Sequence, residues 1–272
     1  MKINLFDNAF RHIPISVHGK TSKNISYVRD QLSWDGITLF TDVYLNSHVP
    51  SQINSKHKVG WLLESRDVNP LTHAEIGKYI NNFDFIITHD KEILEKYPDK
   101  TKKSIYGGCW IDEENYEVYN KCKNVSLIYS HKKALEGHRL RHSVADKKLE
   151  DLDLFGNGSD HPIEKKEEAL VDYHFSLVIE NVKRENYFTE KIVDCFATGT
   201  IPIYYGCPNI GDYFDVRGII QIETEKQILD ILPKLNEDFY SVRLPAVRSN
   251  FEKFKEYAIT EDWLYHNILK YI

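Results

Sequence analysis

Short apolar runs alternate with longer segments of mixed polarity along most of the chain. Apolar runs of strand length are typical of strands buried in a parallel sheet, and the longer segments have the length of helices. Strands separated by helix-length segments predict an α/β fold rather than a β-sandwich. The strands predicted in the first half of the chain are Lys2–Phe6, Ile37–Thr41, Val59–Leu63, Phe83–Thr88 and Lys103–Tyr106.

The alternation breaks once, over residues 109–123, which are polar and aromatic without a clear period. We place a domain junction there, which predicts one domain over residues 1–120 and a second over residues 121–272. Whether the last helices pack back on the first domain is left open. The strands predicted in the second half are Asn124–Ser130, Leu152–Phe155 and Ile219–Ile222, with two more inside residues 176–206.

Residues 176–206 predict a single βαβ unit: a strand, a charged loop, a helix that opens at Thr189-Glu190-Lys191, and a second strand. A helix N-terminus carries partial positive charge and free N–H groups, which favour phosphate as a ligand. In such a site Glu190 would accept hydrogen bonds from ribose, Lys191 would neutralise a diphosphate, and Tyr187 would offer its ring and hydroxyl. The alternative is a surface Glu–Lys pair of little energetic value.

Polar residues also follow the predicted strands Val59–Leu63 and Phe83–Thr88, at the ends where open α/β sheets bind ligands. Glu64 follows the first of these strands, and a partly desolvated carboxylate in that position can act as a general base. His89 follows the second. A surface or capping role for Glu64 and a helix cap at His89-Asp90 are the alternatives.

Two arginines, Arg139 and Arg141, lie close together on the predicted helix Leu135–Lys147. The planar guanidinium of arginine binds phosphate through several donors at once. We expect one of the two to clamp a pyrophosphate and the other to face solvent. A fully solvated helix face is the alternative.

Other patterns carry less information. Asp151 and Asp153 have the D-x-D spacing of some metal-dependent sugar transferases, but Asp153 would begin a strand, the wrong end for a ligand. Gly156-Asn157-Gly158 lacks the lysine of a P-loop and indicates a turn. The four cysteines show no C-x-x-C spacing, so no zinc site is predicted, and their scatter suggests a reducing compartment.

Composition and charge limit the partners. With 35 basic and 41 acidic residues the net charge is −6, which argues against a general nucleic-acid binder. The chain has neither the ~20-residue apolar run of a membrane span nor the apolar core of a signal peptide. These observations predict a soluble, cytoplasmic protein without a transmembrane segment, and they leave peripheral membrane contact open.

The segment around residues 125–215 carries an ordered pattern of residues with fixed spacing: Phe175, Leu177, Glu180, Asn181, Tyr187, Thr189, Glu190, Lys191, Gly199, Pro202, Ile203 and Gly206. Such a long pattern is specific. It resembles the pattern of the donor domain in the α-1,3-fucosyltransferase family. Upstream, Glu64-Ser65 resembles the family's E-S-P segment, with Arg66 in place of the proline; Asn186 replaces an aspartate.

The resemblance implies a GT-B fold, in which two Rossmann-like domains with parallel sheets face a central cleft and the C-terminal domain binds the donor. It implies an inverting transfer of fucose from GDP-fucose to a hydroxyl of an oligosaccharide or glycoconjugate, through an α-1,3 linkage and without a metal or other cofactor. A transferase that uses another nucleotide sugar, and a non-catalytic nucleotide-sugar binding protein, are the alternative functions.

The resemblance also implies roles for individual residues. Glu64 corresponds to the catalytic base of the family. Arg141, with Val144 three residues later, fits the pattern of the donor-binding arginine better than Arg139 does. The implied donor-binding residues are Arg141, Asn181, Tyr187, Glu190 and Lys191, and the implied acceptor-binding residues are Ser65, Arg66 and His89.

Overall fold

The computed structural model describes residues 1–105 and 107–272, and it divides into two compact units. The first unit contains residues 1–105, Arg184–Tyr187 and Ile259–Ile272; the second contains Gly107–Lys183 and Phe188–Ala258. Each unit is built on one parallel sheet. The domain boundary expected between residues 120 and 121 stays a prediction.

The first unit holds a six-stranded sheet in the order β2-β1-β3-β4-β5-β6, in which every pairing is parallel. Its strands are β1 (Lys2–Phe6), β2 (Ser26–Arg29), β3 (Ser33–Thr41), β4 (Asn54–Leu62), β5 (Phe85–Thr88) and β6 (Thr101–Lys103). Apolar clusters cover both faces, as the continuous apolar runs require. The helices of this unit are α1 (Val49–Gln52), α2 (Pro70–Tyr79), α3 (Lys91–Lys96) and, near the end of the chain, α9 (Thr260–Asn267).

Two strands of this sheet differ from the sequence prediction. β2 was not predicted, because the short segment Ser26–Arg29 is half-exposed at the sheet edge and lacks a continuous apolar run. β6 ends at Lys103, where the predicted strand Lys103–Tyr106 begins; Tyr106 itself lies outside the described residues.

The second unit holds a five-stranded parallel sheet in the order β11-β10-β9-β7-β8. Its strands are β7 (Lys123–Ile128), β8 (Leu152–Phe155), β9 (Tyr173–Ile179), β10 (Ile201–Tyr205) and β11 (Ile220–Gln221). The helices are α4 (Glu136–Ala145), α5 (Glu190–Ala197), α6 (Glu225–Ile231), α7 (Glu237–Ser241) and α8 (Leu244–Lys253). A single apolar cluster packs the central strands against α4 and the later helices.

The predicted βαβ unit is confirmed as β9, α5 and β10. The buried carboxylate of Glu180, just after β9, fixes the start of α5. It accepts from the backbone N–H of Thr189 at 2.9 Å and from the Thr189 hydroxyl at 2.7 Å. The Thr189 hydroxyl in turn caps α5 by accepting from the backbone N–H of Lys191.

The N-terminus of α4 approaches the end of β9 more closely than a side chain would allow. A Cβ on Gly137 would lie 1.7 Å from the carbonyl oxygen of Glu180. The backbone N–H of Gly137 donates to the carbonyl of Asn181 at 3.0 Å. Glycine at position 137 therefore lets α4 lie directly against the β9–α5 segment.

Candidate functional site

A cavity of about 420 Å³ lies within the second unit, beside the carboxyl ends of its central strands and the N-terminus of α5. This is the edge of a parallel sheet at which ligands bind. Four of the five residues expected to bind a donor line it: Arg141, Asn181, Glu190 and Lys191. The structure thus brings together residues that are up to 50 positions apart in the sequence.

Arg141 is buried on α4, with 6% of its surface exposed, and points into this cavity. Its Nε and Nη2 donate to the carbonyl of Ile179 at 3.0 and 2.6 Å, and Nη2 also donates to Asn181 Oδ1 at 2.9 Å. Arg139 is exposed and donates to the carbonyl of Ala134. Only the first of these two arginines is therefore held in the cavity wall.

Two charged side chains at the start of α5 pair with each other. Lys191 Nζ lies 3.2 Å from Glu190 Oε1 and donates to the Thr189 hydroxyl at 2.9 Å. Burial alone would raise the pKa of Glu190, but the ammonium groups of Lys191 and Lys166 outweigh it and lower the pKa to about 2. Glu190 is therefore a carboxylate at neutral pH and can only accept hydrogen bonds.

Tyr187, the fifth expected donor-binding residue, belongs to the first unit. It is buried, and its ring lies 4.9 Å from the ring of His89, centroid to centroid. The preceding Asn186 has φ = 61°, in the left-handed region that asparagine adopts more readily than most residues. The structure places Tyr187 against a residue expected to bind the acceptor.

Glu64 lies two residues after the end of β4 and is half-buried. Its main chain is held on both sides: the N–H donates to Asp42 Oδ1 at 3.2 Å, and the carbonyl is 3.0 Å from His73 Nε2. His89 Nε2 lies 3.0 Å from the carbonyl of Leu63. Burial lowers the pKa of His89 to about 4, which keeps its ring neutral at physiological pH.

The other two residues expected at the acceptor differ in their surroundings. Ser65 is buried, whereas Arg66 is half-buried and forms ion pairs with Asp90 and Glu92. Asp90 also caps α3 by accepting from the backbone N–H of Ile93 at 3.1 Å. The capping interpretation of Asp90 is therefore confirmed.

The sequence interpretation missed Asp42, which follows β3 at the same sheet edge. Its Oδ1 accepts from the backbone N–H groups of Leu63 and Glu64 at 3.0 and 3.2 Å. Its Oδ2 is buried and has no hydrogen-bond partner among the described residues. Burial raises the pKa of Asp42 to about 7. The rule that drew attention to Glu64, a carboxylate at the end of a strand, applies equally to Asp42.

Replacing Asp42 by asparagine tests this buried carboxyl group. The pKa of Asp42 is about 7 in the folded protein and 3.8 in the unfolded reference. Between pH 3.8 and about pH 7, the native state therefore holds a proton on Asp42 that the unfolded state has lost. Native stability from this group is then present below about pH 4 and falls by up to about 1.4 kcal/mol per pH unit as pH rises towards 7. Asparagine keeps the accepting oxygen and tolerates the positive φ of 39°. We expect Asp42→Asn to gain melting temperature relative to wild type between pH 5 and pH 8.

The matched control is Asp35→Asn, an exposed position on β3, the strand that Asp42 follows. Thermal unfolding at pH 5 and pH 8 should show a pH-dependent difference from wild type for Asp42→Asn and none for the control. The same difference at both pH values would mean that Asp42 is ionised throughout.

Comparison with known proteins adds to this geometry. Residues 118–238 match the C-terminal region of the family model for glycosyltransferase family 10 (fucosyltransferase). Over this stretch, which we call the family 10 region, the chain is similar to glycosyltransferase family 10. The family 10 region covers the whole second-unit sheet, the cavity wall on α4 and all of α5.

Two relatives match shorter stretches. The α-(1,3)-fucosyltransferase of Helicobacter pylori is 36% identical over 64 residues, which are 24% of this chain and 13% of that protein. The α-(1,4)-fucosyltransferase of Arabidopsis thaliana is 38% identical over 52 residues, which are 19% of this chain and 13% of that protein. The chain therefore matches only about an eighth of the length of either relative.

Solved structures match nearly the whole chain. A crystal structure of an α1,3-fucosyltransferase with GDP gives a TM-score of 0.56 at 15% identity, covering 94% of this chain and 89% of that one. A crystal structure of an α1,3-fucosyltransferase with GDP-fucose gives a TM-score of 0.54 at 15% identity, covering 94% of this chain and 90% of that one. At this identity the likeness establishes the fold, and the GT-B prediction is confirmed.

The weaker motifs have structural explanations. Asp153 lies within β8, where its Oδ2 accepts from the hydroxyl of Tyr173 at 2.7 Å. Over residues 1–105 and 107–272, no group of three or more His, Cys, Asp or Glu side chains is arranged to hold a metal ion. In the same part of the chain, none of the helices has the length and apolar character needed to cross a membrane.

Proposed function

We propose that this protein is a fucosyltransferase that moves fucose from GDP-fucose to a hydroxyl of an oligosaccharide or glycoconjugate, with inversion and through an α-1,3 linkage. The observation that carries the proposal is the cavity of the family 10 region, where Arg141, Asn181, Glu190 and Lys191 meet at the N-terminus of α5. The similarity to known fucosyltransferases, and to fucosyltransferase structures with GDP and GDP-fucose, supports the choice of donor.

In this proposal the residues of the cavity bind the nucleotide part of the donor. Lys191 and the N–H groups at the start of α5 neutralise the diphosphate. Glu190 accepts hydrogen bonds from the ribose hydroxyls. Arg141 stabilises the negative charge that develops on the diphosphate as the bond to fucose breaks. Asn181 keeps the guanidinium of Arg141 in position by accepting from it.

The first unit would supply the base and the contacts to the acceptor. Glu64 takes the proton of the acceptor hydroxyl while that oxygen attacks the anomeric carbon of fucose. The bond to GDP breaks in the same step, its electron pair stays on the diphosphate, and the configuration is inverted. Asp42 positions Glu64 through the main chain. Ser65, Arg66 and His89 are the proposed contacts to the acceptor. Tyr187 does not line the cavity of the second unit, and its proposed contact to the donor would come from the first unit, beside His89.

A panel of nucleotide sugars tests the proposal directly. We expect transfer with GDP-fucose and much slower transfer or hydrolysis with UDP-sugars. Preference for a UDP-sugar or for another GDP-sugar would favour the alternative of a transferase with a different donor. GDP binding without transfer or hydrolysis of any donor would favour the alternative of a nucleotide-sugar binding protein.

The cytoplasmic location of the protein stays a prediction.

Removal of divalent metal is expected to leave the transfer rate unchanged. Cationic side chains and the N-terminus of α5 already provide positive charge beside the proposed diphosphate site. Initial rates with GDP-fucose should therefore agree before and after treatment with EDTA. Loss of activity in EDTA followed by strong recovery on addition of Mn²⁺ would contradict the metal-independent mechanism.

A further inference from the structure

A second buried carboxylate lines the proposed donor cavity. Asp194 lies four residues after Glu190 on α5, and only 1% of its surface is exposed. Residues four apart lie on the same face of a helix, and like charges there repel. Asp194 Oδ1 accepts from the backbone N–H of Trp110 at 2.7 Å, which fixes its position. The family pattern and the proposed mechanism give Asp194 no role.

Lys166 lies between the two carboxylates. It starts a 3₁₀ helix over Lys166–Ala169, and its Nζ lies 2.6 Å from Asp194 Oδ2 and 3.4 Å from Glu190 Oε1. The same ammonium lies 4.3 Å from the ring centroid of Trp110. Burial alone would lower the pKa of Lys166, but Asp194 and Glu190 raise it above its ordinary value. A permanent positive charge is thus shared by two carboxylates.

We infer that Lys166 is a positioning residue of the donor site, which bridges Asp194 and Glu190 and thereby fixes the Glu190 carboxylate to read the ribose hydroxyls of the nucleotide. This inference rests on the proposed function, since it takes GDP as the ligand. Lys166 itself need not touch the nucleotide. Loss of Lys166 should weaken recognition of the ribose and leave recognition of the diphosphate largely intact. The diphosphate is assigned to Lys191, Arg141 and the N-terminus of α5.

The selectivity follows from the contacts. Without Lys166, Glu190 loses the ammonium that holds its Oε1 and keeps Lys191 as a partner, and it also gains an uncompensated neighbour in Asp194. The Glu190 carboxylate would then turn away from Asp194 or share a proton with it, and in either case its accepting geometry changes. At the start of α5, the N–H of Thr189 still donates to Glu180 and the N–H of Lys191 still donates to the Thr189 hydroxyl. Recognition of the ribose is therefore lost before recognition of the diphosphate.

The test compares GDP with 2′,3′-dideoxy-GDP by isothermal titration calorimetry. Hydrogen bonds to a charged group contribute about 1.5–3 kcal/mol, so wild type should prefer GDP by roughly 10- to 100-fold. In Lys166→Met this preference should fall to within about threefold, with little change in affinity for the dideoxy ligand. Lys166→Arg, which keeps the charge, should restore most of the preference. Lys226→Met, at an exposed position on α6, is the matched control and should behave as wild type.

A second pair of variants covers the case in which Lys166→Met does not fold. Asp194→Asn removes the competing charge and keeps the oxygen that accepts from Trp110, so it should retain the preference for GDP. The double variant Lys166→Met/Asp194→Asn carries no excess negative charge and should therefore fold. It should still lose that preference, because Lys166 Nζ no longer holds Glu190 Oε1.

The outcomes separate the inference from the proposed function. If wild type binds GDP and the lysine variants keep its preference over the dideoxy ligand, the inference is wrong and the proposed function stands. An equal loss of affinity for both ligands would also overturn the inference, since it indicates a purely structural role. If wild type binds no GDP, the proposed function fails and the inference fails with it.

Discussion

Glu64→Gln is expected to reduce fucose transfer by about 10²- to 10⁴-fold, which is the usual contribution of a general base. Glutamine has nearly the same shape as glutamate but cannot take a proton from the acceptor hydroxyl. The contacts that position this residue are made by its main chain, to Asp42 and His73, and the substitution leaves them in place. GDP affinity should therefore stay within about twofold of wild type, because the residues assigned to the nucleotide are unaltered.

The measurement is kcat/KM with GDP-fucose and a glycan acceptor, together with GDP affinity by calorimetry. Glu95→Gln, an exposed carboxylate on α3, serves as the control and should change neither quantity. Transfer by Glu64→Gln within tenfold of wild type would show that another group is the base. Loss of GDP binding in the same variant would show that the structure, rather than the proton transfer, had been disturbed.

Arg141→Ala is expected to lower kcat by about 10²- to 10³-fold, the size of effect seen when a single donor to a developing anion is removed. A loss of stability of about 1–3 kcal/mol should accompany it, because the carbonyl of Ile179 and Asn181 Oδ1 lose a buried donor. Arg141→Lys keeps the positive charge but lacks the planar guanidinium, so its kcat should lie between those of wild type and Arg141→Ala.

Arg139→Ala is the matched control, because this exposed arginine lies on the same helix outside the donor cavity. It should have near-normal kcat and melting temperature. Turnover would be compared at saturating GDP-fucose, with thermal unfolding measured alongside. A larger loss of kcat in Arg139→Ala than in Arg141→Ala would mean that Arg139, and not Arg141, stabilises the diphosphate.

Much of the fold and part of the site could be predicted from local pattern. The strands β9 and β10 are continuous apolar runs, and Thr189 supplies the helix start between them, so this βαβ unit follows from short-range chemistry. Arg141 was distinguishable from Arg139 through its family spacing to Val144. The edge strand β2 was missed because strand pairing, rather than its own composition, makes it a strand.

The remaining site residues depend on tertiary contacts that no local pattern encodes. Lys166 stands in a charged segment that resembles an ordinary surface helix, and only the fold brings it to Asp194, 28 residues away. The sequence also gave no sign that Tyr187 belongs to the first unit, because the residues on either side of it in the motif, Asn181 and Thr189, belong to the second unit. Asp42 differs from both, because its position after a predicted strand was an available signal.

The contact between Gly137 and Glu180, just after β9, limits how this chain can be re-engineered towards other donors. Even alanine at position 137 would place an atom 1.7 Å from the carbonyl of Glu180, so helix α4 would have to move and carry Arg141 with it. A library that randomises the helix would therefore consist mostly of inactive clones whenever it includes this position. Diversity is better directed to the cavity-lining residue Ile163, whose substitution leaves the docking of α4 on β9 intact.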